Sequence, residues 1–327
     1  MRSFALWYST KNDESLNKEA TVHVNLWEKG ENKKKYYFDF GLLIEDIVDI
    51  ESIYLYAPFP IEKEQVKDLG SIISNNRLAS AIFNENFTTT DGEPKKLLVN
   101  GIEGKPEFFI YSLEINNQVE VSEFKRDNKT PGTMIELKIN TIIPMKILRY
   151  YFRIRLEVNK EAVHLINDKI RGVSFFSNQF TNTEVIDFRL NDIRSCSEEL
   201  REKFNKGSKF QILAVHYLIL KNADDLIIHH GKEINSRMLE SDLWKSYIEG
   251  TNQNIIAYHI KSKAKKSIDS ETNKLKVSEY VEDFTDLTRF QYQKGTRMIL
   301  LMYMLGVVFL GALGGVVGNW LSSIIGL

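Results

Sequence analysis

The chain has 327 residues, of which 43% are hydrophobic, 11% aromatic and 27% charged, a composition that fits a folded protein and excludes a disordered one. Its formal net charge of −1 excludes the strong overall basic field that many nucleic-acid-binding proteins carry. The single cysteine, Cys196, excludes an internal disulfide and fits a reducing compartment, and we interpret it as an inert thiol. The apolar stretch at residues 4–8 is too short for a signal peptide.

Strand patterns dominate the first part of the chain. Alternating apolar residues predict a strand at residues 20–27, and aromatic-rich runs predict strands at 36–40 and 52–57. From Pro60 to about residue 78 we predict an amphipathic helix, with apolar residues at helical spacing at Val66, Leu69, Ile72 and Ile73. Residues 84–106, rich in Thr, Gly, Lys and Asn, are interpreted as a long loop.

An antiparallel meander is predicted next. Its strands are expected at residues 108–115, 118–125, 135–139 and 148–158. A tight turn at Asn116-Asn117 would join the first two, because asparagine tolerates positive φ.

The second half mixes predicted strands and helices. Strands are expected at residues 184–192, 210–220 and 254–262, and the second of these is apolar on both faces, as a central strand would be. Helices are expected at residues 197–204, 235–248 and 277–290, the last leading the chain to the membrane.

These elements predict an α+β fold that is β-dominant, with mainly antiparallel sheets in the cytosolic part and one C-terminal transmembrane helix. We expect a β-rich cytosolic region at residues 1–160 with one helix near 60–78, and a mixed α+β cytosolic region at 161–290. The two regions form either one domain or two. Residues 291–327 form the membrane anchor.

The predicted anchor has no charged side chain from residue 298 to residue 327. Residues 298–317 alone reach the roughly 20 apolar residues that cross a hydrocarbon core about 30 Å thick, and Trp320 suits the interface. This composition predicts a tail-anchored, single-pass membrane protein. A re-entrant hairpin bent at Gly314-Gly315 is the alternative.

Basic residues flank the anchor on one side only. Arg289, Lys294 and Arg297 precede it and no basic residue follows it. Because positive charge stays on the cytosolic side, we expect the N-terminal domain to be cytoplasmic.

Small residues recur along the anchor. Gly314, Gly318, Ser322 and Gly326 follow one another every four residues, and Gly311 pairs with Gly315. This spacing lets two helix backbones approach closely and predicts a homo-oligomer formed through the membrane helix. The alternative is that glycine is simply common in membrane helices.

The usual catalytic and cofactor motifs are absent from the sequence. There is no phosphate-binding loop, dinucleotide fingerprint, zinc-protease motif or CxxC. We therefore predict no enzyme, no cofactor and no metal site. The adjacent pair His229-His230 would point to opposite faces of a strand, and His216 is interpreted as a satisfied core histidine.

Two basic features remain as candidate sites. Arg149, Arg153 and Arg155 share one face of the strand at 148–158 and could bind an anion, although cross-strand pairing with Glu136 or Asp187 would also explain them. A second cluster could lie against anionic lipid, each lysine gaining about 1 kcal/mol, or form a solvated turn; it comprises Lys261, Lys263, Lys265 and Lys266.

Three functions are compatible with this arrangement. In the first, the cytosolic domain binds a ligand or partner and controls self-association of the membrane helix, a layout that resembles membrane effectors of prokaryotic antiviral systems. The second is a passive membrane-tethered adaptor that recruits a cytosolic complex. The third is a membrane-tethered enzyme acting on a phosphate-bearing substrate. The expected partners are the lipid bilayer, further copies of the chain and an unknown cytosolic ligand or protein.

Overall fold

Strands make up most of the computed structural model, and their pairing is mainly antiparallel, as predicted. The structure describes residues 3–12, 17–29, 35–73, 76–92, 96–101, 106–125, 131–144, 146–160, 162–171, 181–248, 254–268, 275–293 and 297–325.

The first half contains eleven strands and two short helices within these ranges. In chain order they are β1 (Ala5–Thr10), β2 (Glu19–Lys29), β3 (Lys35–Ile44), β4 (Ile50–Ala57), β5 (Val66–Asp68), α1 (Asn76–Phe83), β6 (Phe87–Gly92), β7 (Lys96–Gly101), β8 (Phe108–Tyr111), α2 (Ile115–Gln118), β9 (Val119–Phe124), β10 (Gly132–Lys138) and β11 (Tyr150–Asn159).

The second half adds nine strands and three helices among the described residues. They are β12 (Asn167–Arg171), β13 (Thr181–Leu190), α3 (Glu198–Lys206), β14 (Gln211–Asn222), β15 (Leu226–His230), β16 (Ile234–Met238), α4 (Ser241–Trp244), β17 (Ile255–Lys263), β18 (Lys265–Ile268), β19 (Leu275–Glu279), β20 (Phe284–Gln293) and α5 (Arg297–Ile325).

A ten-stranded sheet forms the centre of the molecule. Its strands follow the order β16-β17-β14-β2-β3-β11-β8-β7-β6, and β5 also pairs with β11. Strand β14 runs parallel to β2, so strands from both sides of residue 160 belong to this one sheet. The prediction of a central, doubly covered strand at 210–220 is confirmed by β14, which has β2 and β17 as neighbours.

One face of the central sheet packs against two four-stranded sheets, β1-β4-β10-β9 and β12-β13-β20-β15. Backbone hydrogen bonds from Phe4 to Arg189 and from Asn191 to Phe4 join these two sheets. The Phe4 ring lies between both layers, with centroids 5.0 Å from Phe40 and 5.5 Å from Phe188. Burial of these aromatic side chains supplies the largest hydrophobic core.

The opposite face of the central sheet is also buried. Helices α1 and α4 and the residues after α4 cover it, and they bring Phe83, Trp244 and Tyr247 over the strands. Side chains that a one-sided sheet would expose to water therefore lie in a second core on this face.

Helix α3 confirms the helix predicted at 197–204. Ser197 caps it by accepting the backbone N–H of Leu200. Leu200 and Phe204 are buried, and the Phe204 ring meets Trp7 edge-on at a centroid distance of 5.9 Å.

The helix predicted near 60–78 is wrong. Lys63–Gln65 forms a single 3-10 turn, β5 follows it, and α1 begins only at Asn76. The Asp68 carboxylate accepts the backbone N–H groups of Gly70 and Ser71 and turns the chain. Gly70 also lies against the Tyr111 carbonyl, where a Cβ would be 2.2 Å from the oxygen.

Four further local predictions are corrected. Residues 84–106, expected to be a loop, contain the hairpin of β6 and β7. The turn expected at Asn116-Asn117 lies in α2, and β8 and β9 belong to different sheets. The helix expected at 235–248 consists of β16 followed by the short α4, and the one at 277–290 consists of β19 and β20.

Helix α5 has 29 residues and follows β20. Its segment Leu300–Ile324 has a mean hydropathy of 2.3 and is long and apolar enough to cross a membrane.

Candidate functional site

The apolar surface of α5 is the most prominent candidate for a functional surface in the part of the chain that the structure describes. None of the segment Leu300–Ile324 is buried against the rest of the chain, and its large apolar side chains are between 45% and 69% exposed. Soluble proteins rarely expose a contiguous apolar surface of this size, so α5 needs an apolar environment or apolar partners.

The small residues of α5 lie on one continuous helix, as the predicted packing surface requires. Four residues advance a helix by about 400°, which brings Gly314, Gly318 and Ser322 onto one stripe, with Gly311 and Gly315 beside it. A Cβ built on any of the four glycines would meet nothing within 4 Å. Gly326 lies outside the described residues, and self-association stays a prediction.

The residues before α5 are placed only in part. Arg289 is exposed on β20, and Arg297 is the first residue of α5. Lys294 lies outside the described residues. The orientation that these three cations predict remains a prediction.

The cluster from Lys261 to Lys266 lies away from the strand end that leads to α5. Strand β20 approaches α5 past Lys221, whose Nζ is 5.4 Å from the Phe290 ring centroid. In the pairing of β14 with β17, Lys221 lies opposite Ile256, and His216 lies opposite Lys261. Lys261 is therefore five residues, or about 17 Å, from Ile256 along β17. Lys265 lies on β18 and pairs with Glu279 at 2.7 Å, and exposed Lys266 lies on the same strand.

The membrane-surface role of the basic residues stays a prediction for all seven: Lys261, Lys263, Lys265, Lys266, Arg289, Lys294 and Arg297.

The predicted arginine face is buried and does not form an open anion site. Arg153 is 1% exposed and Arg155 5% exposed, because α4 and the residues after it cover this part of the sheet. Arg149 lies at the edge and pairs with Glu45 at 2.7 Å. Pairing with acids, the alternative explanation, is therefore observed for Arg149 and Arg155, but the acids are Glu45 and Asp39 and not Glu136 or Asp187.

A single carboxylate neutralises the interior of this arginine face. Arg155 donates to both oxygens of Asp39, at 2.7 and 3.0 Å. Burial opposes the charged form of Arg155, but the Asp39 carboxylate outweighs it and raises the pKa of the guanidinium above its ordinary value. Arg153 donates only to the hydroxyls of Tyr247 and Tyr151 among the described residues, and its Nη2 has no partner there.

A second buried ionic group escaped the sequence analysis. Lys221 donates to Glu184 at 2.5 Å and lies 3.5 Å from Glu28, and all three side chains are at most 7% exposed. Burial disfavours the charged lysine, but the two carboxylates raise its pKa overall. The only sequence signal was a lysine directly after the apolar run at residues 217–220.

Three histidines from three strands meet on the face covered by α1. His216 Nδ1 lies 3.2 Å from His259 Nε2, and the His216 ring centroid is 4.8 Å from that of His23. His216 is thus partnered, as predicted, but it belongs to a polar cluster that the spacing of 23, 216 and 259 does not reveal. Burial first, and then the charges of Lys261, His259 and Lys263, lower the pKa of His216 to about 3.

The folded chain should lose stability in acid through this cluster. His216 stays neutral in the fold down to about pH 3, whereas an ordinary histidine takes up a proton near 6.5. Unfolding therefore binds a proton between these values, and stability falls with falling pH by about 1.4 kcal/mol per pH unit.

Between pH 6 and 4, we expect His216→Gln to reduce the slope of the unfolding free energy against pH by about 1.4 kcal/mol per pH unit. Urea unfolding of the full chain in detergent, repeated across this range, measures it. An unchanged slope would show that His216 titrates normally in the fold.

Other nucleophile and metal candidates are weak. Burial raises the pKa of the Cys196 thiol to about 11, which disfavours the reactive thiolate. His230 is exposed on β15 and its Nδ1 lies 2.8 Å from the Lys232 carbonyl. No group of three or more His, Cys, Asp or Glu side chains within the described ranges could hold a metal ion.

Comparison with known proteins adds no assignment to these sites. No protein family matches the chain, and no curated protein is significantly similar to it in sequence.

Proposed function

We propose that the protein is a tail-anchored, single-pass membrane protein whose cytoplasmic β-rich domain binds a ligand and controls self-association of the α5 helices. In this proposal the associated helices act on the bilayer, as in the membrane effectors whose layout the chain resembles.

The observation that carries the proposal is the contrast between α5 and the rest of the chain. The β domain buries three hydrophobic clusters of its own, so it does not need α5 for a core. Helix α5 leaves its large apolar side chains at least 45% exposed between Leu300 and Ile324. A bilayer would cover this surface along the full length of the segment.

The glycine stripe supports self-association as the output of α5. Glycine lowers helix stability in water by about 1 kcal/mol relative to alanine, so its density in α5 favours a role in packing. In lipid, helices associate mainly through close van der Waals contact, which small residues at a spacing of four permit. The open space beside Gly314 and Gly318 is where a second helix would pack.

We expect Gly314→Leu combined with Gly318→Leu to abolish oligomers while membrane insertion survives, because leucine keeps α5 apolar but separates the two backbones. Chemical crosslinking of the membrane fraction measures the oligomer, and growth of overproducing cells measures the action on the bilayer. We expect the parent to crosslink and to slow growth, and the variant to do neither.

The matched control is Ala312→Leu combined with Val316→Leu, which lie at the same depth and the same spacing of four but on the far side of the helix from Gly314 and Gly318. This variant should behave like the parent. A glycine variant that still crosslinks would reject the interface. Loss of the oligomer without any change in growth would instead favour the passive adaptor.

A further inference from the structure

A row of cationic and imidazole side chains crosses the central sheet beneath α1. Lys261 on β17 is level with His216 on β14, which pairs with His23 on β2. His23 in turn pairs with Gly41 on β3, and Gly41 with Arg153 on β11. Neighbouring strands lie about 4.8 Å apart, so the row spans about 19 Å from an exposed lysine to a buried arginine.

The inner end of this row is sealed. The Tyr151 hydroxyl occupies the space above Gly41, where a Cβ would lie 2.0 Å from it. Phe83, the last residue of α1, meets the His23 ring edge-on at 5.1 Å. His23 Nδ1 and Arg153 Nη2 are buried, and neither has a hydrogen-bond partner among the described residues.

The outer end of the row opens beside the end of α1. Lys261 and Lys263 are exposed, and His216 and His259 are half-buried. Arg237 on β16 borders the opening and donates to the Ala81 carbonyl and to Asn84 Oδ1. The opening is therefore lined by hydrogen-bond donors on strands whose positions the sheet fixes.

Positive charge at this opening exceeds negative charge. The permanent cations facing it are Lys261, Lys263 and Arg237, and the acid that acts on Lys261 is Glu85. Asp39, the nearest carboxylate on the inner side, already binds Arg155. Burial and then the charge of Lys263 lower the pKa of Lys261, so the lysines repel each other when no anion lies between them.

We propose that this opening binds a soluble phosphate-bearing anion, held by Lys261 and Lys263, with one imidazole of the hydrogen-bonded pair His216 and His259 as an additional donor. Ammonium groups form charge-assisted hydrogen bonds with phosphate oxygens. A neutral imidazole has one N–H, and one of the two histidines uses it to bind the other ring, so a single imidazole N–H is free for the anion. A divalent cation fits less well, because two lysines and Arg237 face the imidazoles. A phosphate-bearing anion would be the ligand in the function proposed above. Only the effect of its binding on the association of α5 rests on that function.

Calorimetric titration of the full chain with pyrophosphate, in nanodiscs of phosphatidylcholine, tests this site. We expect saturable binding to the parent. Lys261→Gln combined with Lys263→Gln should weaken it by at least about tenfold, because each lysine supplies a charge-assisted hydrogen bond. Lys265→Gln combined with Lys266→Gln removes the same charge from the neighbouring strand and should change the affinity by less than about twofold.

Four outcomes would overturn the proposal. The first is that no saturable heat is seen up to about 10 mM pyrophosphate. The second is that the two double variants lose equal affinity, and the third is that Zn²⁺ binds more tightly than pyrophosphate. The fourth is that pyrophosphate no longer binds when the nanodiscs contain phosphatidylglycerol. The last would show that lipid headgroups occupy the opening. Helix association is not part of this measurement, so failure of the glycine test leaves the binding result standing.

Discussion

Asp39→Asn is expected to lower the free energy of unfolding by about 3–5 kcal/mol, the range measured when one partner of a buried ion pair is removed. Asparagine keeps the size of the side chain but removes the charge. Arg155 would lose its bidentate carboxylate, and Arg153 would lose the nearest negative charge. Two guanidinium groups, 5% and 1% exposed, would then share the core without an anion.

Urea unfolding of the full chain in detergent measures this loss. Glu120→Gln is the control, because Glu120 forms an exposed ion pair with Lys138, and such pairs contribute no more than about 1 kcal/mol. Adding Arg155→Gln to Asp39→Asn should recover part of the loss, since only Arg153 then lacks a carboxylate. A loss below about 1 kcal/mol for Asp39→Asn alone would mean that water reaches the arginines.

Phe309→Arg combined with Leu310→Arg is expected to remove the protein from the membrane. Both residues lie near the middle of Leu300–Ile324, and both side chains are more than 60% exposed, so no packing in the β domain is lost. Each arginine at the centre of a membrane helix costs about 2.5–3.5 kcal/mol on insertion scales. The measurement is the fraction of protein that stays with membranes after alkaline washing.

The control places the same two substitutions at the helix end. In Leu300→Arg combined with Leu301→Arg, the long side chains can reach the headgroups and the cost is small. We expect this variant to stay in the membrane fraction. Retention of both double variants would mean that α5 does not cross the bilayer.

Sequence alternation identified strands wherever one face is apolar and the other polar over several residues. Strands β2, β10, β11 and β13 were predicted for this reason, and β14 because it is apolar on both faces. The prediction failed at β20, where Asp286 and Thr288 face the core between Phe284 and Phe290 and are at most 3% exposed. Thr288 donates to Asp286 at 2.6 Å, and these buried polar residues conceal the two-residue period.

The failed helices share a different cause. Leu239 and Tyr247 recur at helical spacing, yet Leu239 follows a strand and Tyr247 follows the short α4. Both are buried over the central sheet. Apolar residues that cover another layer can have any spacing, so periodicity within one segment does not determine its structure.

The candidate sites show the same limit. Alternation placed Arg153 and Arg155 correctly on one face of β11, but the cover over that face comes from Tyr247, more than 90 residues later. Their burial is a long-range property that a single strand cannot reveal. The cluster of His23, His216 and His259 likewise depends on which strands become neighbours, whereas the anchor was predictable because its signal is local.

The position of β20 determines how a mechanical force on α5 would reach the β domain. Strand β20 lies between β13 and β15, with antiparallel pairing to β13 along its whole length, and α5 follows it. The hydrogen bonds between antiparallel strands run perpendicular to the strands. A force along β20 would therefore act on all of these hydrogen bonds in shear at the same time and would not break them one after another. Tension or twist in α5 would therefore reach the centre of this four-stranded sheet without first unfolding β20.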